Sequence, residues 1–425
     1  MAVYTHSVYV DPERCTGCTN CLRRCPVEAI RIRQEKAVIN ALKCIDCGEC
    51  IRACKHNAKR ASYDKLSDLD FSKHLIALPA PSLFGQFNHL DEAEYVINGL
   101  LEMGFKEVYE VARAAEYVTD LTRIYLNGAD VMKPAISSAC PVIVRLIKLR
   151  FPTLCDHLVP IMPPYELAGK LARERALREH PELSPDDIKT VFISPCPAKV
   201  SWAKSIMDGQ TVHVDYVTSM NDVYMELLKK MKRDEDCSGN VVSEAGIVGM
   251  SWATTSGEAA SLMNDGYLAA DGIDNVIKVL DDLESGMLSD INFVELNACS
   301  PGCVGGVLAP TNGYIARLRL QNLRKSSGMV VKPNDIMDIE KDDRLKDGVI
   351  PPEYIESDAF TYMPEGAPNM LAMMLSMKKA DALAEKLPKK DCGACGSPTC
   401  KAFALDVVNG DAQISDCVIR SQMEG

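Results

Sequence analysis

Eighteen cysteines are the residues of this 425-residue chain with the clearest chemical potential. Most lie in compact runs near the two ends of the chain, and four others, Cys140, Cys196, Cys299 and Cys303, are widely scattered. Thiols spaced as C-x-x-C in a chain without a secretory signal indicate reduced, metal-bound thiolates rather than disulfides. The cysteines therefore predict several metal centres and an anaerobic host.

The amino-terminal runs repeat one spacing, C-x2-C-x2-C-x3-C, and are similar to those of bacterial ferredoxins. In that spacing three thiolates hold one [4Fe-4S] cluster and the fourth reaches the neighbouring cluster. The duplication makes zinc or disulfide alternatives improbable. One predicted cluster takes Cys15, Cys18, Cys21 and Cys54, and the other takes Cys25, Cys44, Cys47 and Cys50.

A third cysteine set, with the spacing C-x2-C-x4-C-x16-C, lies near the carboxyl terminus. It comprises Cys392, Cys395, Cys400 and Cys417. Four soft ligands suit a [4Fe-4S] cluster, although a four-cysteine zinc site has the same ligand count. The segment resembles the small four-iron domain of corrinoid-pathway subunits and of some hydrogenase-related proteins, which favours a third [4Fe-4S] cluster over zinc.

The scattered cysteines each lie beside a predicted strand end or helix start, so folding can bring them together at the loop edge of an α/β sheet. Gly302, Gly305 and Gly306 surround Cys303 and permit close backbone approach to a bulky inorganic group. The alternative is that these four cysteines are buried structural residues that bind no metal. Cys155 and Cys237 fit such a structural role better than the four do.

Composition limits the classes of function. The net charge of −12 argues against a nucleic-acid partner. The absence of an apolar membrane-length stretch and of an export signal predicts a cytoplasmic protein without membrane insertion. Residues 1–60 instead carry a net charge of +5, from eleven basic and six acidic side chains, which would partly neutralise two clusters and attract an acidic electron donor.

Beyond residue 74, apolar runs alternate with helical periodicity, which predicts an α/β fold with mostly parallel sheets. The predicted strands are His74–Leu78, Glu107–Val111, Thr190–Ile193, Val212–Val217 and Asn292–Leu296, and the predicted helices are Glu92–Met103, Asp222–Lys232 and Ile273–Glu284. Lys332–Phe360 is acidic and proline-containing and is predicted to be an irregular connection.

Residues 74–320 resemble the catalytic domain of [FeFe] hydrogenases in three segments, Ser137–Pro141, Ser194–Lys199 and Glu295–Gly306. The resemblance implies a two-lobed α/β catalytic domain at 66–365, a ferredoxin-like α+β domain at 1–65, and a helix with a small iron–sulfur domain at 366–425. It also implies an H-cluster, in which a [4Fe-4S] unit is linked to a diiron unit with CO, CN and a bridging dithiolate.

By the same resemblance, Cys140, Cys196, Cys299 and Cys303 hold the H-cluster cubane, and Cys303 bridges to the diiron unit. Lys199 contacts a cyanide ligand, and further pocket positions are Pro81, Ser82, Tyr165, Pro195 and Ala198. The implied partners are H2 and protons, ferredoxin or another electron carrier, hydrogenase maturation proteins, and a signalling or redox partner protein.

The departures from the family pattern concern proton transfer. Ala139 stands where productive members have a relay cysteine, and Thr119 and Thr122 stand where further acids are expected. Glu116 and Glu166 are candidates for another route but are more readily interpreted as helix-surface carboxylates. Because alanine cannot relay a proton, the sequence predicts a slow hydrogenase or an H2 sensor, similar to the sensory branch of the family.

The sequence also allows two alternatives. The chain could be an electron-transfer subunit of a larger redox complex, or an iron–sulfur scaffold protein that lacks the diiron unit. Lys199 and the glycine-rich segment around Cys303 argue against the scaffold.

Overall fold

The computed structural model describes residues 6–205, 213–231, 242–263, 265–326, 350, 354–355 and 370–423. Cys237 and nearly all of the predicted 332–360 connection lie outside the described residues. The chain divides into two compact units: Met1–Ala2 with Tyr63–Thr361, and Val3–Ser62 with Tyr362–Gly425. The described cysteine-rich segments from both ends of the chain thus belong to one unit, and the domain boundaries near residues 65 and 365 stay predictions.

The cysteine-rich unit contains two antiparallel strand pairs: Val8–Val10 with Lys59–Ala61, and Ile30–Arg33 with Lys36–Ile39. Its helices are Asn20–Arg23, Glu49–Ala53, Met370–Ala384, Cys400–Val408 and Val418–Met423. Cys21, Leu22, Ile30 and Cys50 are among the buried residues of a small core between the strand pairs and the first two helices. The α+β, ferredoxin-like character predicted for the amino terminus is confirmed.

The larger unit is built on two parallel sheets. The four-stranded sheet has the order Glu107–Val108, His74–Pro79, Ile188–Ser194, Tyr216–Ser219, and the three-stranded sheet has the order Tyr267–Asp271, Phe293–Asn297, Ala135–Ile136. In the larger sheet the two central strands are almost fully buried, as expected for parallel strands covered on both faces.

Helices connect and cover these strands. They are Pro81–Phe84, Glu94–Glu102, Val111–Leu126, Pro141–Arg150, Pro164–Glu179, Pro197–Lys204, Met220–Lys230, Ile247–Ser251, Gly257–Ser261, Ile273–Glu284 and Gly313–Ser326. No described helix is long and apolar enough to cross a membrane.

The predicted α/β class with mostly parallel sheets is confirmed, and the helix Ile273–Glu284 has its predicted bounds. The predicted strand Glu107–Val111 is wrong at its end, because Val111 begins the helix Val111–Leu126. That helix buries twelve of its sixteen residues, among them the polar Arg113, Glu116 and Thr119, so its polar positions do not mark an exposed face.

Candidate metal centres

Two of the scattered cysteines cap helices. Cys140 immediately precedes the helix Pro141–Arg150, and Cys196 immediately precedes Pro197–Lys204. In both, the cysteine backbone is extended and proline occupies the first helical turn, where its missing N–H costs no hydrogen bond. The positive ends of two helix dipoles therefore adjoin these thiols and favour negative charge there.

Cys299 and Cys303 lie in one tight loop after the strand Phe293–Asn297. The Gly302 N–H donates a 3.0 Å hydrogen bond to the Cys299 carbonyl, and Cys303 begins a short 3-10 turn. Gly302 has φ +91°, and a Cβ there would lie 2.7 Å from the Thr255 nitrogen. A larger residue at this position would displace the loop, so the glycine predicted to allow close approach is required for packing as well.

The loop of Cys303 packs directly against the loop of Cys196. A Cβ on Gly306 would lie 2.3 Å from the Pro195 carbonyl oxygen, which itself accepts a 3.0 Å hydrogen bond from the Leu308 N–H. Burial raises the pKa of Cys196 to about 12; the adjacent Cys140 and Cys303 add to the rise, and Lys199 opposes it. Thiols from three separate loops are therefore near enough to interact electrostatically.

Lys199 lies between these thiols and a pair of aromatic rings. Its Nζ is 5.1 Å from the centre of the Tyr165 ring and 5.6 Å from that of Phe192, and the two rings stack at 5.1 Å. The Lys199 charge also opposes the burial-driven rise in the pKa of Cys303. Tyr165 and Ala198 are both buried. Each cation–π contact with a ring stabilises the position of the Lys199 ammonium by about 0.5–2 kcal/mol.

The other predicted pocket residues follow the carboxyl ends of two adjacent strands. Pro81 and Ser82 come after His74–Pro79, and Pro195 comes after Ile188–Ser194. The Ala80 N–H donates a 3.4 Å hydrogen bond to the Ile193 carbonyl, which places the two segments side by side. Ser82 is fully buried, with its Oγ 4.0 Å from Met220 Sδ.

A pair of buried carboxylates near this site was missed in the sequence. Ser137 Oγ donates a 2.6 Å hydrogen bond to Glu258 Oε2 and accepts one of 3.3 Å from the Ala139 N–H. Burial, and then the nearby Glu295 charge, raise the pKa of Glu258 well above its usual range. Burial likewise raises the pKa of Glu295, so the pair retains a proton at neutral pH. Glu258 carried no sequence signal, because its neighbours only become apparent on folding.

Threonine hydroxyls occupy the positions where relay acids were expected. Thr119 Oγ1 lies 3.2 Å from Ser261 Oγ and accepts a 3.0 Å hydrogen bond from the Trp252 indole N–H, and Thr122 is buried.

The interpretation of Glu116 and Glu166 as helix-surface carboxylates is wrong, since both are about 95% buried. Glu116 Oε2 accepts a 2.8 Å hydrogen bond from Arg113, and its Oε1 accepts hydrogen bonds from the backbone N–H groups of Gly246 and Gly249.

The eight amino-terminal cysteines line two separate cavities of the cysteine-rich unit. One cavity is lined by Cys15, Cys18, Cys21 and Cys54, and the other by Cys25, Cys44, Cys47 and Cys50. Each set combines cysteines from both runs, which is the exchange of the fourth ligand that two adjacent cubanes require.

The buried charge of Lys59 is independent evidence that these cavities suit negatively charged clusters. Its side chain is buried, and its Nζ has no hydrogen-bond partner among the described residues. Its charge opposes the pKa rises of Cys21 and Cys50, which line different cavities. An unpaired buried ammonium is costly unless negative charge lies beside it, and thiolate-bound clusters supply that charge.

The carboxyl-terminal cysteines also surround one cavity, which Cys392, Cys395, Cys400 and Cys417 line. Four thiolates around one cavity form a soft donor set that suits a [4Fe-4S] cluster, and a zinc ion takes the same number of ligands.

Residues 73–238 match the family described as iron only hydrogenase large subunit, C-terminal domain. This region is therefore similar to hydrogenase large-subunit domains. The match contains Cys140, Cys196 and Lys199, and the segment of Cys299 and Cys303 follows it in the chain. Residues 7–55 match a 4Fe-4S dicluster domain, and residues 387–419 match an Fe-S cluster family.

Individual proteins are also similar to parts of the chain. Thirty-three residues are 52% identical to the corrinoid/iron-sulfur protein large subunit of Moorella thermoacetica, which is 8% of this chain and 7% of that protein. A structure of [FeFe]-hydrogenase studied for oxygen inactivation of its H cluster shares 19% identity, with a TM-score of 0.46. A variant of the [FeFe]-hydrogenase from Chlamydomonas reinhardtii shares 18% identity, also with a TM-score of 0.46. Each of these two likenesses covers 61% of this chain and 86% of the other.

Proposed function

We propose that this protein binds H2 and splits or forms it heterolytically at an H-cluster. The observation that carries the proposal is the convergence of Cys140, Cys196 and Cys303 from three loops beside the Lys199 ammonium. Cys299, one tight turn before Cys303, would supply the fourth thiolate of the cubane. Cys303 would also hold the diiron unit.

When bound, the H-cluster supplies an electron-poor metal with an open position for H2. The chain contributes the surroundings. Lys199 would donate a charge-assisted hydrogen bond to a cyanide ligand, since an ammonium is a strong donor that its aromatic support keeps in place. The buried segments of Pro81, Ser82, Pro195 and Ala198 would exclude water.

Proton transfer is where this site departs from an efficient catalyst. The Ala139 side chain has no proton that it can transfer. In the described structure, hydrogen bonds connect Ala139 to two groups that can hold a proton, Ser137 Oγ and Glu258 Oε2. Loss of one well-placed acid–base group typically costs about 10²–10⁴ in rate. We therefore propose slow turnover, suited to H2 sensing, with Glu258 as a positioned group that holds and exchanges a proton.

Three further [4Fe-4S] clusters would carry electrons between this site and ferredoxin or another carrier. The two cavities of the amino-terminal cysteines, the charge of Lys59 and the cavity lined by the four carboxyl-terminal cysteines support them. The proposal also includes a cytoplasmic location, maturation proteins that insert the diiron unit, and a signalling or redox partner.

Infrared spectroscopy of protein matured with its diiron cofactor tests the function. We expect carbonyl and cyanide stretches that shift when H2 replaces argon. Correctly matured protein without these stretches would identify an iron–sulfur scaffold. Stretches that do not respond to H2 while the clusters still exchange electrons would favour the electron-transfer subunit.

A further inference from the structure

The carboxyl-terminal cysteine site is fastened to the amino-terminal strand pair within the cysteine-rich unit. Asp406 is buried, and its carboxylate accepts hydrogen bonds of 2.5 and 3.0 Å from Arg31, and one of 2.9 Å from Arg33. Ser397 Oγ donates a further 2.6 Å bond to the same carboxylate. Removing one member of a buried network like this leaves the others unpaired, so the contact is strongly fixed.

The backbones meet more closely still at Gly396. The Ile32 N–H donates a 2.8 Å hydrogen bond to the Gly396 carbonyl, and a Cβ on Gly396 would lie 2.2 Å from the Ile32 oxygen. Gly396 also has φ +78°, a conformation that glycine adopts without strain. No other residue type fits this position without separating the two segments.

Ile32 and Gly396 each adjoin a different cysteine cavity. Ile32 lines the cavity of Cys15, Cys18, Cys21 and Cys54, whereas Gly396 follows Cys395, which lines the carboxyl-terminal cavity. A second hydrogen bond, of 3.1 Å, runs from Arg23 Nη2 to the Cys392 carbonyl. One bonded route between the two sites therefore runs from Cys395 through Gly396 and one hydrogen bond to Ile32.

We propose that the carboxyl-terminal cluster exchanges electrons directly with the cluster of Cys15, Cys18, Cys21 and Cys54 across the Ile32–Gly396 contact. One electron leaves one reduced cluster and reduces the other, and no further reactant takes part. The three cluster sites of the unit then act as one electron-storing module. This inference rests on the cluster content of the proposed function but not on reactivity with H2.

The matched variants are Gly396→Ala and Gly410→Ala in the full-length protein with its clusters. Both glycines have positive φ, +78° and +82°, so both substitutions carry similar backbone strain, but a Cβ on Gly410 would meet no atom within 4 Å. Asp406→Asn is a second way to loosen the contact without changing the backbone of the cysteine loop.

The measurement is electron paramagnetic resonance of the chemically reduced protein, with iron and sulfide content determined on the same samples. We expect spin–spin coupling between the two clusters in the parent protein and in Gly410→Ala, and its loss in Gly396→Ala at unchanged iron content. Should Gly396→Ala lose its cluster, Asp406→Asn must weaken the coupling instead. Coupling absent from the parent, or unchanged in both contact variants, would overturn the proposal. Since the readout needs no H2, a failed hydrogenase assay leaves it intact.

Discussion

The Ser137 hydroxyl donates a 2.6 Å hydrogen bond to Glu258 Oε2 and accepts one from the Ala139 N–H, so Ala139, where a relay thiol was expected, is joined through one hydroxyl to a buried carboxylate. The raised pKa values of Glu258 and Glu295 let this pair hold a proton near neutral pH. The site therefore retains a proton-holding group although the expected cysteine and acids are absent.

Glu258→Gln should slow H2 oxidation and evolution by about 10²-fold or more, because glutamine keeps the hydrogen bond to Ser137 but cannot exchange a proton. The rates are measured with artificial electron carriers on samples with matching infrared spectra. Glu110→Gln is the control, since Glu110 is also buried and burial raises its pKa to about 7. Its carboxylate accepts hydrogen bonds from Ser243, Glu244 and Ala245 instead. Equal rates for Glu258→Gln and the parent would exclude Glu258 from the proton route.

Ala139→Cys should raise turnover or change which redox states accumulate, because it restores a titratable group beside Cys140. The comparison is with Ala139→Val, which adds bulk without a transferable proton. Infrared spectra under H2 and the turnover rate are the measurements. If rate and spectrum stay as in the parent, another route already delivers the proton.

Lys199→Met should shift the cyanide stretches or prevent the diiron unit from being retained, because methionine fills the space over Tyr165 without a charge or a donor. Iron content and infrared spectra report both effects. Lys204→Met is the matched control: Lys204 lies in the same helix, is exposed, and forms a 2.7 Å ion pair with Asp64. Identical cyanide bands in the parent and Lys199→Met would remove Lys199 from the pocket.

Gly306→Ala should abolish the carbonyl and cyanide bands while the amino-terminal clusters persist, because its Cβ would overlap the Pro195 carbonyl. Overpacking of this kind costs about 1–3 kcal/mol. Gly286→Ala is the control: its φ of +74° makes the substitution strained, but its Cβ meets no atom within 4 Å. A Gly306→Ala protein with a full set of bands would show that the two loops tolerate separation.

Lys59→Met should lower the reduction potentials of the amino-terminal clusters, because a buried positive charge favours the reduced, more negative cluster. Redox titration followed by electron paramagnetic resonance measures the shift. Lys55→Met removes an exposed charge next to Cys54 in the sequence, where water screens it, so it should shift the potentials much less. Similar potentials in the parent and both variants would contradict the role of Lys59.

Much of the fold follows from local patterns. The strands at His74 and Thr190 and the helix Ile273–Glu284 were predictable, because apolar runs and one-sided periodicity mark them. The helix start at Val111 was not, because Val108, Tyr109 and Val111 are residue types that favour strands. Glu116 and Glu166 were misassigned because a charged residue is expected at the surface unless its buried partners are known.

The sequence alone predicted the ligand sets of the compact metal centres, because thiol spacing within a run is a local property of the chain. It also determined that Ala139 cannot relay a proton. Only the tertiary structure decided that Glu258 is joined to Ala139 through Ser137, that Lys59 is buried near both amino-terminal cavities, and that Gly396 meets Ile32. These relationships join residues far apart in the chain, and their energies arise from burial and close approach, which only folding creates.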